Sequence, residues 1–388
     1  MNLHAKHPTL DAARALQPEL FKRAQEMEDA RRLPADLAAK LAEAGLFRMV
    51  TPAAYGGLEC TPRQIVDAVE AVSVANASAG WCVMIGATTA LNAAYMAPDT
   101  AREIYADPMI ITGGVFAPMG KAIVDGDDYI VSGRWQWGSG SANCTWLCGG
   151  SIVIEDGEMR TLPSGRPDAR MMVFPADQAE LLDTWHVMGL KGTGSGDLMV
   201  KDLRVPKARS VSLVADQPVV DGALFKFPAF GLLSLGVAAT AMGNAKGALS
   251  AFVDLASGKK SQGSKKTLGE RATIQAETAR ISAAFRAARA YLHDEIELTW
   301  EVAQNSDDIP VERRAALRMA CTHMVRTSAD ICRICYDLGG GAALFQASDL
   351  QRRFRDSHAM TQHIVTAPST WELTGRLLFG LPTDASMV

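Results

Sequence analysis

Apolar residues recur at helical spacing through the first hundred positions of the chain. Two of these runs follow residue pairs that begin helices, Pro34-Ala35 and Thr61-Pro62. A third apolar run, from Trp81 to Met96, is dense in small residues, which indicates a helix packed closely on all sides. We therefore predict an N-terminal α-helical domain over residues 1–108.

Between residues 109 and 215 the apolar runs become short, and turn residues separate them. The runs read MIITGGVF, AIVDGDDYIVSG, TWLCGGSIVI, ARMMVFP and LMVKDLRVP, with Gly, Asp and Pro between them. Strands bounded by turn residues have this pattern, and VDGDDY has the composition of a hairpin turn. We predict a central β domain here, a barrel or a sandwich.

Helical spacing returns over residues 216–388. The runs that predict helices are Phe225–Ala241, Glu270–Trp300, Pro310–Leu338 and a last one that begins near Ser348 and passes through His363 toward Pro368. They predict a C-terminal four-helix bundle, so the whole chain is expected to be α+β and mostly α. The fourth apolar helix face of such a bundle would be exposed to water in a single chain. This favours an oligomer in which a second subunit buries that face.

Composition narrows the classes of function. The formal net charge of the 388 residues is −4 with no dense basic face, which argues against a broad nucleic-acid-binding surface. No apolar run is long enough to span a bilayer, and the first residues lack the apolar core of a signal peptide. The seven cysteines follow no regular framework, so reduced thiols and a cytoplasmic setting are expected. Cys332 and Cys335 are expected to be core thiols, with zinc or redox chemistry as the alternative.

The segment SGRWQWGSGSANCTW, residues 132–146, carries the candidate chemistry of the β domain. It combines three tryptophans and three glycines with several Ser and Thr residues and almost no charge. Trp is costly to expose and Gly is costly to order, so this composition indicates a site for a planar, partly polar ligand. The alternative is a β corner in which the same residues only pack the core.

Four segments, taken in order, resemble the acyl-CoA dehydrogenase superfamily along nearly the whole chain. They are LAEAGLFRMVTPAAYGG, YIVSGRWQWGSG, GLKGTGSGDLMVKDLRVP and LGGGAALFQASDLQRRFRD. The resemblance implies that the planar ligand is a flavin, with Trp137 against the isoalloxazine ring and Ser139 hydrogen-bonded at or near N5. It also implies further flavin contacts from Phe116, Pro118 and Gly340. Thr193 and Ser195 either reach the ribityl chain of the flavin or only shape a turn.

The dehydrogenases of this superfamily use a Glu carboxylate as their base. That base would fall at about Ile364, or near Leu233 or Ser234, and neither place has a carboxylate. Glu372 is the nearest candidate for a displaced base. A dehydrogenase that desaturates an acyl thioester with FAD is therefore one alternative, and a non-catalytic flavin-binding or scaffold protein is another.

The segment RFRDSHAMTQH resembles instead the flavin-dependent monooxygenase branch, the oxygenase halves of two-component hydroxylases. There His363, with a pKa near neutral, would handle the proton of the substrate or of the C4a-(hydro)peroxyflavin, and Ser139 would stabilise the flavin adduct. Asp356 and His363 are expected on one helix face. Trp81 is expected to wall a dry cavity beside the ring, and His186 either contacts the substrate or is structural.

The favoured function is oxygenation of a small aromatic or polycyclic substrate by O2 and reduced flavin, FMN or FAD, taken up from a separate reductase. The resemblance implies a homotetramer in which the neighbouring bundle forms one wall of the flavin site. Arg355 and Asp356 are expected to form an ion pair that orients the last helix. The lysines between Lys259 and Lys266 are candidates for contact with the flavin phosphate, and a solvated loop is the alternative.

Overall fold

The first part of the chain is helical. The computed structural model describes residues 7–260, 263, 265–385 and 388. The helices before the sheet are α1 (Pro8–Lys22), α2 (Ala24–Ala30), α3 (Ala35–Glu43), α4 (Pro62–Ala75), α5 (Ala77–Thr89) and α6 (Pro98–Tyr105). At the start of α4, Thr61 Oγ1 accepts the N–H of Gln64 at 3.3 Å, and the Gln64 side chain accepts the N–H of Thr61 at 3.0 Å. This reciprocal cap confirms the start predicted from Thr61-Pro62.

The middle of the chain forms one mixed β-sheet. Its strands are β1 (Thr112–Asp125), β2 (Asp128–Trp135), β3 (Trp146–Glu155), β4 (Glu158–Met159), β5 (Ala169–Pro175), β6 (Glu180–Leu182), β7 (Asp197–Pro206) and β8 (Ser210–Val211). The strand order is β6-β7-β2-β1-β3-β5-β8, with β4 on β3. Asp125 pairs with Asp128 across a two-residue turn, which confirms the hairpin predicted at VDGDDY. β1 pairs antiparallel with β2 and parallel with β3.

Trp135 fills the interior beside this sheet. Its side chain is fully buried, and its Nε1 donates to the carbonyl of Gly150 at 2.6 Å. A Cβ at Gly120 or at Gly149 would lie 2.4 Å from the indole, so only glycine leaves room for the ring at these positions. The core-packing alternative for the Trp-rich segment therefore applies to Trp135.

The last part of the chain is helical again. Its helices are α7 (Ala223–Lys226), α8 (Ala229–Gly258), α9 (Ala272–Asn305), α10 (Val311–Gly339), α11 (Asp349–Met360) and α12 (Ser369–Leu378). α8 packs against α4, α5 and α10, and α11 packs against α8 and α10. One apolar core therefore joins the N-terminal helices to the bundle, with Val69, Leu235 and Met324 among its members. No helix in the described part of the chain has both the length and the apolar character needed to cross a lipid bilayer.

The predicted last helix ends earlier than expected. α11 stops at Met360, and His363 lies beyond it, at the start of a 3-10 turn over Ile364–Thr366. The Thr361 hydroxyl donates back to the carbonyl of His358 at 2.7 Å, and β-branched residues follow, both of which weaken continued helix. The prediction that Asp356 and His363 share one helix face is therefore wrong.

Candidate functional site

Trp137 has an unusual backbone conformation for its size. Its φ is +69°, in the left-handed region that bulky residues seldom adopt, and its side chain is 58% exposed. The N–H of Ser139 donates to the Trp137 carbonyl at 2.8 Å, so the chain reverses sharply here. This turn presents the indole of Trp137 to the outside and the hydroxyl of Ser139 to the interior. Backbone strain of this kind concentrates at functional sites.

Three buried hydroxyls form a continuous series behind Trp137. Ser139 Oγ lies 2.6 Å from Ser195 Oγ, which lies 2.6 Å from Thr193 Oγ1. We call Ser139, Ser195 and Thr193 the hydroxyl chain. At one end the indole Nε1 of Trp81 donates to Ser139 Oγ at 3.1 Å, and at the other Thr193 Oγ1 donates to the carbonyl of Leu190 at 2.8 Å. The structure thus brings together four of the residues predicted from the sequence.

The Arg-Asp pair of α11 holds the loop that carries Leu190. Asp356 Oδ1 accepts the N–H of Leu190 at 2.6 Å, and burial raises the pKa of Asp356 to about 6. The Arg355 side chain donates to the carbonyl of Met188 and pairs with Glu28 at 2.5 Å. The predicted ion pair between Arg355 and Asp356 is therefore replaced by two separate contacts that fix the loop against α11.

Gly189 is required by the close approach of this loop to α11. A Cβ at Gly189 would lie 2.2 Å from the carbonyl oxygen of Arg355, which no side chain tolerates. The glycine therefore lets the loop reach the carboxylate of Asp356.

The ring of His363 packs against Trp81 of α5. The two ring centroids are 5.5 Å apart, at an interplanar angle of 66°. Burial, and then the positive charge of Arg318, lower the pKa of His363 to about 4. Its Nδ1 accepts the N–H of Val365 at 3.4 Å, so the proton of the neutral ring is assigned to Nε2. The expected pKa near neutral is therefore wrong for the free protein.

Arg318 of α10 is a buried cation that the sequence reasoning missed. Its guanidinium donates to Ser234 Oγ and, at 3.1 Å, to the carbonyl of Val365 in the turn that follows His363. Burial lowers the pKa of Arg318. One turn before Ser234 on α8, Phe230 meets Phe116 of β1 edge-on, with centroids 5.1 Å apart. A set of contacts therefore runs from the hydroxyl chain through Trp81, His363 and Arg318 to the sheet.

No carboxylate takes part in this set of contacts within the described part of the chain. Ser234 and Ile364 occupy the two places where a dehydrogenase base would be expected. Glu372, the candidate for a displaced base, is exposed in the first turn of α12. Apart from the Trp81 indole, the polar side chains of this set are hydroxyls, an imidazole and a guanidinium.

The remaining predicted residues lie elsewhere. Pro118 is exposed on β1. Gly340 follows α10 with a φ of +53°, and the nearby Lys259 Nζ donates to the carbonyl of Gly339 at 2.6 Å. His186 is exposed beside Arg31, at 3.3 Å from its guanidinium, and it is not among the described contacts of the hydroxyl chain. Of the Lys259–Lys266 loop, residues 261, 262 and 264 lie outside the described residues.

One group of potential metal ligands is better explained as an ion-pair network. Ligand atoms of Asp67, Glu70 and His293 lie within 4.8 Å of one another. Arg289 already pairs with Glu70 at 2.9 Å, and Arg63 with Asp67 at 3.0 Å. Burial and these two arginines lower the pKa of His293 to about 3. The local positive charge opposes a bound cation.

Most of the chain is similar in sequence to known proteins of one family. Residues 9–110 match the family "Acyl-CoA dehydrogenase, N-terminal domain", and residues 235–368 match "Acyl-CoA dehydrogenase, C-terminal domain". An indole-3-acetate monooxygenase of Pseudomonas putida is 32% identical over 87% of this chain and 84% of its own. A flavin-dependent monooxygenase, oxygenase subunit HsaA, of Mycobacterium tuberculosis is 31% identical over 96% of this chain and 95% of its own.

Solved structures give the same picture of the fold. The crystal structure of the HsaA monooxygenase from M. tuberculosis superposes with a TM-score of 0.89 at 28% identity, covering 98% of this chain and 99% of that one. XiaF from Streptomyces sp., in complex with FADH2 and glycerol, superposes with a TM-score of 0.87 at 22% identity, covering 96% and 95%.

Proposed function

Since this chain belongs to the acyl-CoA dehydrogenase family, in its branch of flavin-dependent monooxygenases, we propose that it takes up reduced FMN or FAD from a separate reductase and hydroxylates a small aromatic substrate with O2. The observation that carries the proposal is the contact between His363 and Trp81, whose indole donates to Ser139. In this arrangement an imidazole occupies the region where the dehydrogenases would need a carboxylate.

The residues present fit an isoalloxazine ring. Trp137 offers an exposed indole face held by a strained backbone, and Ser139 lies two residues on with a buried hydroxyl. We assign the ring to the space between them, with Phe116 and Pro118 from β1 as further contacts and Gly340 as a contact to the flavin's phosphate side. When bound, the reduced flavin supplies the electrons that activate O2.

In this proposal His363 supplies a hydrogen bond and Trp81 excludes water from the site. The neutral imidazole carries its proton on Nε2, which makes it a hydrogen-bond donor toward the space it faces. Trp81 is buried and closes one wall of that space with an apolar ring face. We propose that His363 donates a hydrogen bond from Nε2 to the reacting oxygen, while Trp81 keeps water out.

The substrate class is taken from the relatives. They include indole-3-acetate monooxygenases and the oxygenase component of an FADH2-dependent resorcinol hydroxylase of Rhizobium sp., 30% identical over 93% of this chain. We propose a small aromatic compound for this chain as well. Indole-3-acetate and resorcinol are therefore the first two compounds to test.

A rapid-mixing experiment tests the proposed function. The purified protein, loaded anaerobically with reduced FMN or FAD, is mixed with O2 and each aromatic compound. We expect a transient absorbance before the flavin is reoxidised, and a product that carries one oxygen atom from ¹⁸O2. Reduction of bound oxidised FAD by an acyl-CoA thioester under anaerobic conditions would instead identify a dehydrogenase. A protein that binds flavin and does neither would be a binding protein only.

Replacing Trp137 tests the assigned ring position. Asn tolerates the left-handed conformation better than Trp, so Trp137→Asn is expected to leave the melting temperature unchanged or higher. The loss of an aromatic face should weaken the binding of reduced flavin by roughly tenfold. Anaerobic fluorescence titration measures the affinity. The control is Ile123→Asn, which removes an exposed apolar side chain of β1, away from the turn at Trp137, and should change flavin affinity less than about twofold. Equal effects of the two variants would refute the ring position.

Assembly and compartment are further proposals. We propose a homotetramer, and the support is a group of exposed apolar side chains in the C-terminal part, Leu344, Phe345, Ile364, Leu378 and Phe379. We also propose a reducing, cytoplasmic setting, because all seven cysteines are free thiols in the structure.

A further inference from the structure

The hydroxyl chain has one direction of hydrogen bonding. Each hydroxyl carries a single hydrogen, and a carbonyl oxygen only accepts. Thr193 Oγ1 lies 2.8 Å from the Leu190 carbonyl, which also accepts Trp185 Nε1 at 3.0 Å and the N–H of Thr193 at 3.1 Å. Unless the Thr193 hydrogen points to this carbonyl, two oxygen lone pairs face each other at 2.8 Å, so we place the hydrogen there. Ser195 must then donate to Thr193, and Ser139 must donate to Ser195, each across 2.6 Å.

The other end of the chain imposes the same direction. The indole Nε1 of Trp81 has a hydrogen and no lone pair available, so it can only donate to Ser139 Oγ, at 3.1 Å. Ser139 therefore has its one hydrogen pointed at Ser195 and one lone pair occupied by Trp81. What remains at Ser139 Oγ is a second lone pair, which can accept a hydrogen bond and cannot donate one.

An acceptor at this place distinguishes the two redox forms of a flavin. The reduced isoalloxazine ring carries a hydrogen on N5, whereas the oxidised ring presents a lone pair there. A reduced ring can donate to Ser139 Oγ, and an oxidised ring would place two lone pairs against each other in a buried site, which is unfavourable.

We propose that the hydroxyl chain selects reduced over oxidised flavin, with Thr193 and Ser195 as positioning residues that act through Ser139. This inference rests on the proposed function, in which Ser139 meets flavin N5. The anchor is the Leu190 carbonyl, and the Leu190 residue is itself held by Asp356 through its N–H. The Arg-Asp segment of α11 thus contributes to cofactor choice from outside the flavin site. The same selectivity favours release of the oxidised flavin after turnover.

Isosteric removal of the Thr193 hydroxyl tests the proposal. In Thr193→Val the Ser195 hydrogen has lost its acceptor and can turn to Ser139, which frees the Ser139 hydrogen to donate to oxidised N5. Equilibrium titrations with reduced flavin, under anaerobic conditions, and with oxidised flavin give the two dissociation constants. We expect the ratio of the oxidised to the reduced constant to fall by about tenfold. Ser195→Ala should lower the ratio in the same way, and Thr193→Ser, which keeps the hydroxyl, should preserve it.

The outcomes separate the proposal from simpler accounts. A ratio that stays within twofold of the wild-type value in both Thr193→Val and Ser195→Ala overturns the inference and leaves the proposed function intact. So does equal weakening of both redox forms, which is what loss of local packing produces. A wild-type protein that binds neither form contradicts the proposed function, and the inference with it. Circular dichroism of each variant verifies that the fold is retained.

Discussion

Product formation by His363→Ala is expected to be about 10²–10³-fold slower than by the wild-type protein. The reason is that His363 is the proposed hydrogen-bond donor beside Trp81, and with a pKa of about 4 its ring stays neutral near neutral pH. The affinity for reduced flavin should change less than about twofold, because the proposed flavin contacts come from other residues. Reduced flavin should still consume O2, with hydrogen peroxide replacing the hydroxylated product.

His358→Ala is the matched control for this variant. His358 is a second histidine of the same segment, and its ring packs edge-on against Phe354 on α11 with centroids 4.6 Å apart. In the described part of the chain, the polar and ring contacts of Trp81 are with Ser139 and His363, and His358 is not among them. Its replacement should leave the ratio of product to hydrogen peroxide unchanged. Wild-type turnover by His363→Ala, measured with both products quantified, would exclude His363 as the proposed hydrogen-bond donor.

The order and type of the secondary structure elements could be predicted because local signals agree with the final packing. The Thr61-Pro62 cap, the hairpin at VDGDDY and the glycines that stop α10 each act within a few residues of chain. The same holds for the turn at Trp137, where Gly and Ser residues flank the tryptophan. The family could be predicted because four short segments, from LAEAGLFRMVTPAAYGG to LGGGAALFQASDLQRRFRD, occur in the order typical of the superfamily.

The residues that complete the site depend on tertiary packing, which a sequence pattern does not contain. Arg318 lies in an otherwise apolar stretch of α10, and only the packing of α8 and of the turn after His363 gives it partners. The position of His363 depends on where α11 ends. Helical spacing alone predicted a helix through His363, whereas α11 ends at Met360. The low pKa of His363 follows from burial beside a cation that the sequence did not identify.

Part of the support for the hydroxyl chain is a contact between α11 and the loop over Met188–Thr193. Asp356 is the residue that makes it, and its carboxylate is buried with a pKa raised from 3.8 to about 6. A carboxylate with a raised pKa binds a proton in the folded protein that the unfolded chain has already lost. The stability that Asp356 contributes is thus fully present below about pH 4 and is lost as the pH rises through 6.

Asp356→Asn is accordingly expected to raise the free energy of unfolding at pH 8 by up to about 3 kcal/mol, the equivalent of the pKa shift. Asn keeps an oxygen that accepts the N–H of Leu190 and carries no charge to desolvate. The difference between this variant and the wild-type protein should shrink to near zero at pH 4, where Asp356 is protonated. Denaturant unfolding at pH 4, 6 and 8 measures the three differences.

Asp356→Ala separates the charge from the hydrogen bond. At pH 4 this variant leaves the N–H of Leu190 without its acceptor, so it should be less stable than either Asp or Asn by about 1–3 kcal/mol. Because the loop over Met188–Thr193 then loses one of its two contacts with α11, the preference for reduced flavin should also weaken, whereas Asp356→Asn should retain it. A difference between Asn and Asp that does not vary with pH would show that burial of the carboxylate has no energetic consequence. Retention of the full flavin preference by Asp356→Ala would show that the anchor of the hydroxyl chain does not depend on α11.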